Sequence, residues 1–163
     1  MLIVCKNLSE LNIHQLMFVY EQSNLEKGKS SFPFDSPEMQ LRKAQDNFLD
    51  YLRYDFFKTP DACLCIWEED GQYVSALRLE PYEDGYLLCA LETRPKFRRM
   101  GYATALMDAI LRDIDAPVYS HIYTSNYPSV AAHKAVGFSL LKNGARLLDG
   151  TVSAKYDTYV YGK

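Results

Sequence analysis

Arg98-Arg99-Met100-Gly101-Tyr102-Ala103 stands where an extended apolar run, Tyr86 to Thr93, gives way to a helical one, Ala103 to Ile114. At a strand-to-helix turn of this kind, successive backbone N–H groups point into one concavity, and the helix N-terminus adds about half a positive charge to it. Gly101 lets the main chain come close to a ligand, where a side chain would block it. Arg94, Lys96, Arg98 and Arg99 gather positive charge at this turn of a chain whose net charge is -3. The turn is therefore expected to meet a multiply anionic partner, and a diphosphate fits. The competing reading is a solvated turn in which Gly101 only ends a strand. The Gly-Lys-Ser/Thr ending of a P-loop and the third glycine of a dinucleotide fingerprint are both missing, so neither nucleotide fold is indicated.

Outward from this turn the sequence alternates strands and helices without a linker. Residues 1–7 read as a strand. A helix follows from Ser9, where Ser9, Glu10 and Asn12 offer capping groups, to about Glu26, and Gly28 is expected to stop it. Residues 29–37 read as a loop. Ser36-Pro37 opens a second helix on which Leu41, Ala44, Phe48, Leu52 and Phe56 recur at helical spacing, ending before Pro60. Asp70-Gly71 and Asp84-Gly85 separate runs rich in β-formers, which predicts an antiparallel meander over 62–69, 72–80 and 86–93. The helix after the basic turn carries a wide apolar stripe, Ala103, Leu106, Met107, Ile110, Leu111 and Ile114. Val118 to Ser125 then reads as a strand returning parallel to the Tyr86 strand through a right-handed crossover. A short helix, 129–136, and strands near 138–148 and 152–161 complete the order.

A chain of 163 residues, 48% of them apolar, can bury a core of its own, and residues 1–163 are read as one domain. The sequence holds no uninterrupted apolar run long enough for a bilayer and no signal-peptide pattern at its start, which predicts a cytoplasmic protein with no membrane role. Cys5, Cys63, Cys65 and Cys89 fall in strand-like runs and read as reduced core residues; no metal-ligand spacing is present. The single basic cluster and the acidic balance argue against nucleic acid.

Arg98, Gly101 and Ala103 fill the pattern of Arg or Gln, two residues, Gly, one residue, Gly or Ala, and so resemble the acyl-CoA loop of the GNAT acetyltransferases. Asn126-Tyr127-Pro128-Ser129-Val130-Ala131-Ala132-His133-Lys134-Ala135-Val136-Gly137-Phe138 resembles the downstream GNAT segment that begins with Asn at a strand end and closes with Gly-Phe. The likeness covers Leu87 to Phe138. It implies an α/β (α+β) fold: a mixed, mostly antiparallel central sheet with a splayed parallel strand pair, flanked by helices on both faces. It also implies acetyl-CoA as cosubstrate, with no metal. The pantetheine arm would lie along a bulged strand at Leu91, Glu92 and Thr93, the diphosphate on the amides of Arg99, Met100, Gly101, Tyr102, Ala103 and Thr104 beside Arg98, and Asn126 would hold pantetheine or a water.

Acyl transfer to an amine needs a base, because an ammonium is not a nucleophile. Glu92, in the strand beside the expected thioester, is the first candidate; its alternative is a solvent-facing side chain or a pair with Arg94. His121 competes, occupying a position where some GNAT enzymes carry a glutamate, and the alternative for it is a hydrogen-bonded core histidine. His133 stands where many members have a tyrosine that protonates the leaving thiolate; Tyr123 or Tyr127 could take that part.

In the family the first two helices, their loop and the last hairpin shape the acceptor pocket, which here points to Tyr20, Phe32, Phe34, Asp35, Tyr51, Tyr54, Asp55 and residues 144–156. An aromatic, partly acidic lining would suit a cationic small amine, though aromatic residues at helical spacing also build cores. The function expected is direct transfer of acetyl to the primary amine of a small molecule. The alternatives are a protein N-terminal or lysine acetyltransferase, and a non-catalytic acyl-CoA-binding module; a generic nucleotide-binding domain is a third class. Exposed sheet edges would also permit a homodimer.

Overall fold

The computed structural model describes residues 1–162. Seven strands, β1 (Leu2–Cys5), β2 (Cys63–Glu69), β3 (Gln72–Tyr82), β4 (Gly85–Thr93), β5 (Val118–Tyr123), β6 (Ser139–Arg146) and β7 (Val152–Tyr161), form one sheet in the order β1-β2-β3-β4-β5-β7-β6. Every neighbouring pair is antiparallel except β4 and β5. The helices are α1 (Ile13–Val19), α2 (Glu21–Ser31), α3 (Pro37–Tyr54), α4 (Tyr102–Leu111) and α5 (Tyr127–Ala135). The fold class expected from the sequence is the one observed.

The parallel pair is short. Only Tyr86↔Val118 and Leu87↔Tyr119 are in register, and beyond them β4 and β5 part while β5 stays paired with β7 through Tyr123. A cleft therefore opens in the middle of the sheet, toward the C-terminal ends of both strands. Alternation of side chains along each strand divides the residues between two faces. On one, Leu79, Leu88, Val118 and Ile122 pack with Leu106, Met107 and Ile110 of α4 and with Phe138. On the other, Leu64, Ile66 and Ala76 pack with Leu16 and Val19 of α1, Leu52 of α3, and Tyr20 and Phe56 beside them.

The N-terminal helical region differs from the sequence reading. Leu8–Glu10 is a 3-10 turn, α1 begins after Asn12, whose side chain accepts from the Gln15 amide at 3.1 Å, and the chain breaks at Tyr20 before α2. Gly28 lies buried inside α2 rather than ending it: a Cβ there would sit 2.5 Å from the Gln40 carbonyl oxygen, so the glycine is what lets α2 approach α3. The loop expected over 29–37 accordingly shrinks to 32–36. The start of α3 is as read, with Ser36 accepting from the Met39 amide and Pro37 at the first position, but Phe56 belongs to a 3-10 turn, Phe56–Lys58, and not to the helix. α4 ends at Leu111 rather than Ile114, β5 at Tyr123 rather than Ser125, and α5 starts at Tyr127.

Candidate functional site

The edge of the cleft is built by a bulge. In the β3–β4 ladder Ala76 pairs with Glu92 while Arg78 pairs with Cys89, so Ala90 and Leu91 together face Leu77, and Ala90 takes φ +51. The buried Tyr20 hydroxyl donates to the Ala90 carbonyl at 2.8 Å, fixing the bulge from the helical layer. The Glu92 carbonyl accepts from Ser75 Oγ at 2.9 Å and the Arg94 amide donates to Val74 at 2.9 Å, so both face β3. The intervening backbone of Thr93 is thereby turned toward the gap, where its carbonyl accepts from Arg98 Nε at 3.0 Å. Leu91 packs its side chain on the α4 side.

β4 then leads into the basic turn. Arg99 and Gly101 adopt positive φ, +63 and +84, and curl the chain into α4. The first intrahelical amide bond is Ala105 to Gly101, and no side chain caps the helix. The amides of Tyr102, Ala103 and Thr104 are thus left as donors at the positive end of a helix. The Thr104 hydroxyl donates its proton to the Gly101 carbonyl at 2.8 Å, so it can offer an incoming anion only lone pairs. The four cations of the turn do not act together. Arg94 stacks 4.4 Å over Phe18 and, with Lys96, reaches Gln72, whereas Arg98, Arg99 and Met100 stay exposed at the mouth of the concavity. Across the cleft Asn126 Oδ1 accepts from the Ser129 amide at 3.3 Å, capping α5.

The three candidate proton-transfer groups do not share a face. Glu92 projects to the α1–α2 side, half-buried, where loss of water pushes its carboxyl above the ordinary range; the Ser23 hydroxyl and Arg98 partly offset this, and Glu26 adds to it. His121 lies on the same side. Its Nδ1 is 3.1 Å from Thr158 Oγ1, which donates to the Gly144 carbonyl at 2.8 Å, so Nδ1 carries the proton and donates to the hydroxyl. Its buried Nε2 makes no hydrogen bond of normal length; desolvation holds its pKa down, the Arg146 backbone opposing and the Lys142 charge assisting. His133 lies on the α4–α5 side and is 2% exposed. Nδ1–H donates to the Ser129 carbonyl at 2.8 Å and Nε2 takes the Ser120 hydroxyl at 3.0 Å, an arrangement that satisfies the neutral ring; burial depresses its pKa, the Ser129 carbonyl opposing. Tyr123 is exposed on the Glu92 and His121 side, and Tyr127 stands exposed at the start of α5.

Of the residues expected to shape an acceptor pocket, Tyr20 and Tyr51 come together above this part of the sheet. Phe34 is fully exposed, Tyr54 points outward, and Asp35 is bound by Lys43 at 2.6 Å. A shallow recess of about 400 Å3 does exist, lined by Tyr82, Asp84, Tyr119 and Lys142, but it lies at the closed end of the cleft, where β4 and β5 begin. Sequence reading missed Arg78 and Glu80, which Tyr51 covers together with Cys89, the thiol read as a reduced core residue. Glu80 is buried, with Oε1 accepting from Tyr51 OH at 3.2 Å and Oε2 from the Cys89 thiol at 3.2 Å. Burial, partly countered by Arg78 and assisted by Glu80, pushes the Cys89 thiol up to about 12. The available signal was the alternation Leu77-Arg78-Leu79-Glu80, which puts two charges on the face that the apolar stripe of α3 must cover.

The Acetyltransferase (GNAT) family model matches residues 25–138. Solved structures share the fold at low identity. PaiA N-acetyltransferase from Thermoplasma acidophilum, solved with coenzyme A, has a TM-score of 0.62 at 12% identity, with 98% of each chain covered. N-acetyltransferase PseH from Campylobacter jejuni, solved with acetyl coenzyme A, has a TM-score of 0.59 at 12% identity over 99% of this chain and 98% of that one. The ribosomal-protein-S18-alanine N-acetyltransferase of Escherichia coli has a TM-score of 0.57 at 14% identity over 98% and 91%. No relative is found among curated protein sequences. Among the described residues no helix is long and apolar enough to cross a membrane, and no cluster of three or more His, Cys, Asp or Glu could hold a metal ion.

Proposed function

The chain belongs to the GNAT acetyltransferase family, and we propose that it transfers the acetyl group of acetyl-CoA directly to the primary amine of a small molecule. The observation that carries this reading is the continuity of the bulged β4 with the uncapped N-terminus of α4, beside a strand pair that parts after two residues. The Thr93 backbone and Leu91 would line the pantetheine arm, and the amides of residues 99–104, with Arg98 and Arg99, would hold the diphosphate. Asn126 would bound the arm from the β5 side.

Glu92 takes the proton of the acceptor ammonium, directly or through one water, and burial makes its carboxylate a stronger base than an exposed one. The amine nitrogen bonds to the thioester carbon, the C–S bond breaks, and the thiolate takes a proton from Tyr123 or solvent. His121 is the rival base, on the same side, its buried Nε2 without a bonded partner and its ring against Tyr82. His133, with both nitrogens engaged, positions α5 on β5 through Ser120. The protonated, hydrogen-bonded Cys89 supports transfer without an acyl-enzyme, because the nucleophile in such a step is a thiolate.

The test is calorimetric titration with acetyl-CoA of the wild type and of Gly101→Glu, which puts a carboxylate and an unfavourable backbone conformation into the anion cradle. Binding lost in the variant, and free CoA released with members of an amine panel, would support the reading. No binding in the wild type would overturn it, and binding without turnover would favour the non-catalytic module.

A further inference from the structure

Arg78 is the least satisfied charged side chain on the cleft's acceptor side. Its guanidinium stacks 4.9 Å above the Tyr51 ring and 5.7 Å from that of Phe56. Among the described residues it makes no side-chain hydrogen bond, and no carboxylate oxygen lies within 4.0 Å; its Nε is buried without a partner. Stacking uses the faces of a guanidinium and leaves its N–H groups, which lie in the plane at the rim, unspent. Glu80, two residues along the same strand face, does not take them: its oxygens accept from Tyr51 and Cys89, and it forms no ion pair with Arg78. Arg78 is half-buried and feels the Glu80 charge without bonding to it, so its guanidinium keeps N–H donors that an anionic ligand can take.

The position of that cation is specific. Arg78 pairs with Cys89, the residue before the bulged Ala90, on the face to which Glu92 also projects. A ligand on the guanidinium would therefore lie beside the bulge where the thioester carbon is placed by the acetyl-transfer reading, on which this inference rests. We propose that Arg78 is a specificity-determining residue that binds a carboxylate of the acceptor, so that the acceptor class is an amino acid or another small amine bearing a carboxylate. A planar carboxylate matches the guanidinium fork in two parallel hydrogen bonds. The neighbouring Glu80 charge disfavours a dianion such as a phosphate monoester.

The experiment compares kcat/KM for glycine, β-alanine and phenylalanine with that for their amides, which differ in losing the carboxylate charge. The wild type is expected to favour at least one acid over its amide by tenfold or more. Arg78→Met, which keeps the stem over Tyr51, is expected to bring that ratio to near one with acetyl-CoA affinity retained, and Arg78→Lys to leave an intermediate ratio. A wild type that prefers the amides, or an unchanged ratio in both variants, would overturn the proposal. A second readout needs no turnover: in protein labelled with 15N-arginine, benzoate should shift the Arg78 Nε–H resonance and benzamide should not. If no amine is acetylated, the transfer reading fails while the benzoate titration still decides the Arg78 site; absence of a benzoate shift at saturating acetyl-CoA would sink it.

Discussion

The two faces of the sheet are finished to different degrees. Toward α4 and α5 the core is apolar and its buried histidine, His133, has a partner for each nitrogen. Toward α1–α3 the same strands carry Arg78 and His121 with orphaned nitrogens, a buried Glu80, and Glu92 held above its ordinary pKa. Hydrophobic burial and paired polar groups suffice to explain the first face. They do not explain the second, where Arg78 and Glu92 stand beside the bulge and His121 packs against Tyr82 nearer the closed end of the cleft. The difference separates the face that holds the fold together from the face on which the proposed chemistry runs, although one set of strands serves both.

Substitutions can break this division. The largest effect expected is for Glu92→Gln: kcat should fall about a thousandfold, within the usual range for a lost general base, with acetyl-CoA affinity retained by calorimetry. A fall under tenfold would move the base to His121. On the finished face, Leu106→Ala should cost about 3 kcal/mol in stability by denaturant unfolding, because its side chain is fully buried. Next comes Ser120→Ala, which strips His133 Nε2 of its partner and should cost about 2 kcal/mol while kcat stays within a factor of three. A large loss of kcat at unchanged stability would instead place His133 in the chemistry.

The smallest effect sharpens the comparison through pH. The Glu92 carboxyl is raised in the folded state from 4.5, so between its unfolded and folded values the native chain holds more protons than the unfolded one, and its contribution to stability falls as pH rises. Glu92→Gln should therefore melt slightly higher than the wild type at pH 7, the gap narrowing toward pH 4. His121 and His133 act with the opposite sign. Both are depressed from 6.5, so the unfolded chain takes up more protons just below that value and stability drops as pH falls through the window. Melting curves of the wild type and the variant across pH 4–8 would show both trends, and a variant that melts lower at pH 7 would contradict the first.

Much of the fold was legible because its signals are local. Asp70-Gly71 makes its turn with both residues at positive φ, +49 and +73, and Ser36-Pro37 starts α3 by its own side chains. Gly28 was misread because its reason is tertiary: the Gln40 backbone that forbids a Cβ lies on the next helix. The geometry of the candidate site was legible where a motif is contiguous, in the strand-to-helix turn at Arg98 to Thr104, and illegible where spacing had to stand for direction. Arg94 and Lys96 read as part of one cationic patch yet turn to Phe18 and Gln72. His133 sits in a recognisable segment, but only the packing of α5 on β5 shows its ring enclosed. Arg78 carried no motif, and its isolation appears only once α3 covers it.

The bond from Tyr20 to the Ala90 carbonyl spans 70 positions of the chain. The β3–β4 hairpin turns on its own short loop, but the shape of β4 at the cleft is tied to the helical layer far upstream. A single hydroxyl from the helical layer thus sets the backbone shape of a strand edge it never joins. Tyr20→Phe should keep native-like circular dichroism while weakening acetyl-CoA binding by calorimetry, because the Ala90 carbonyl loses the donor that fixes the bulge.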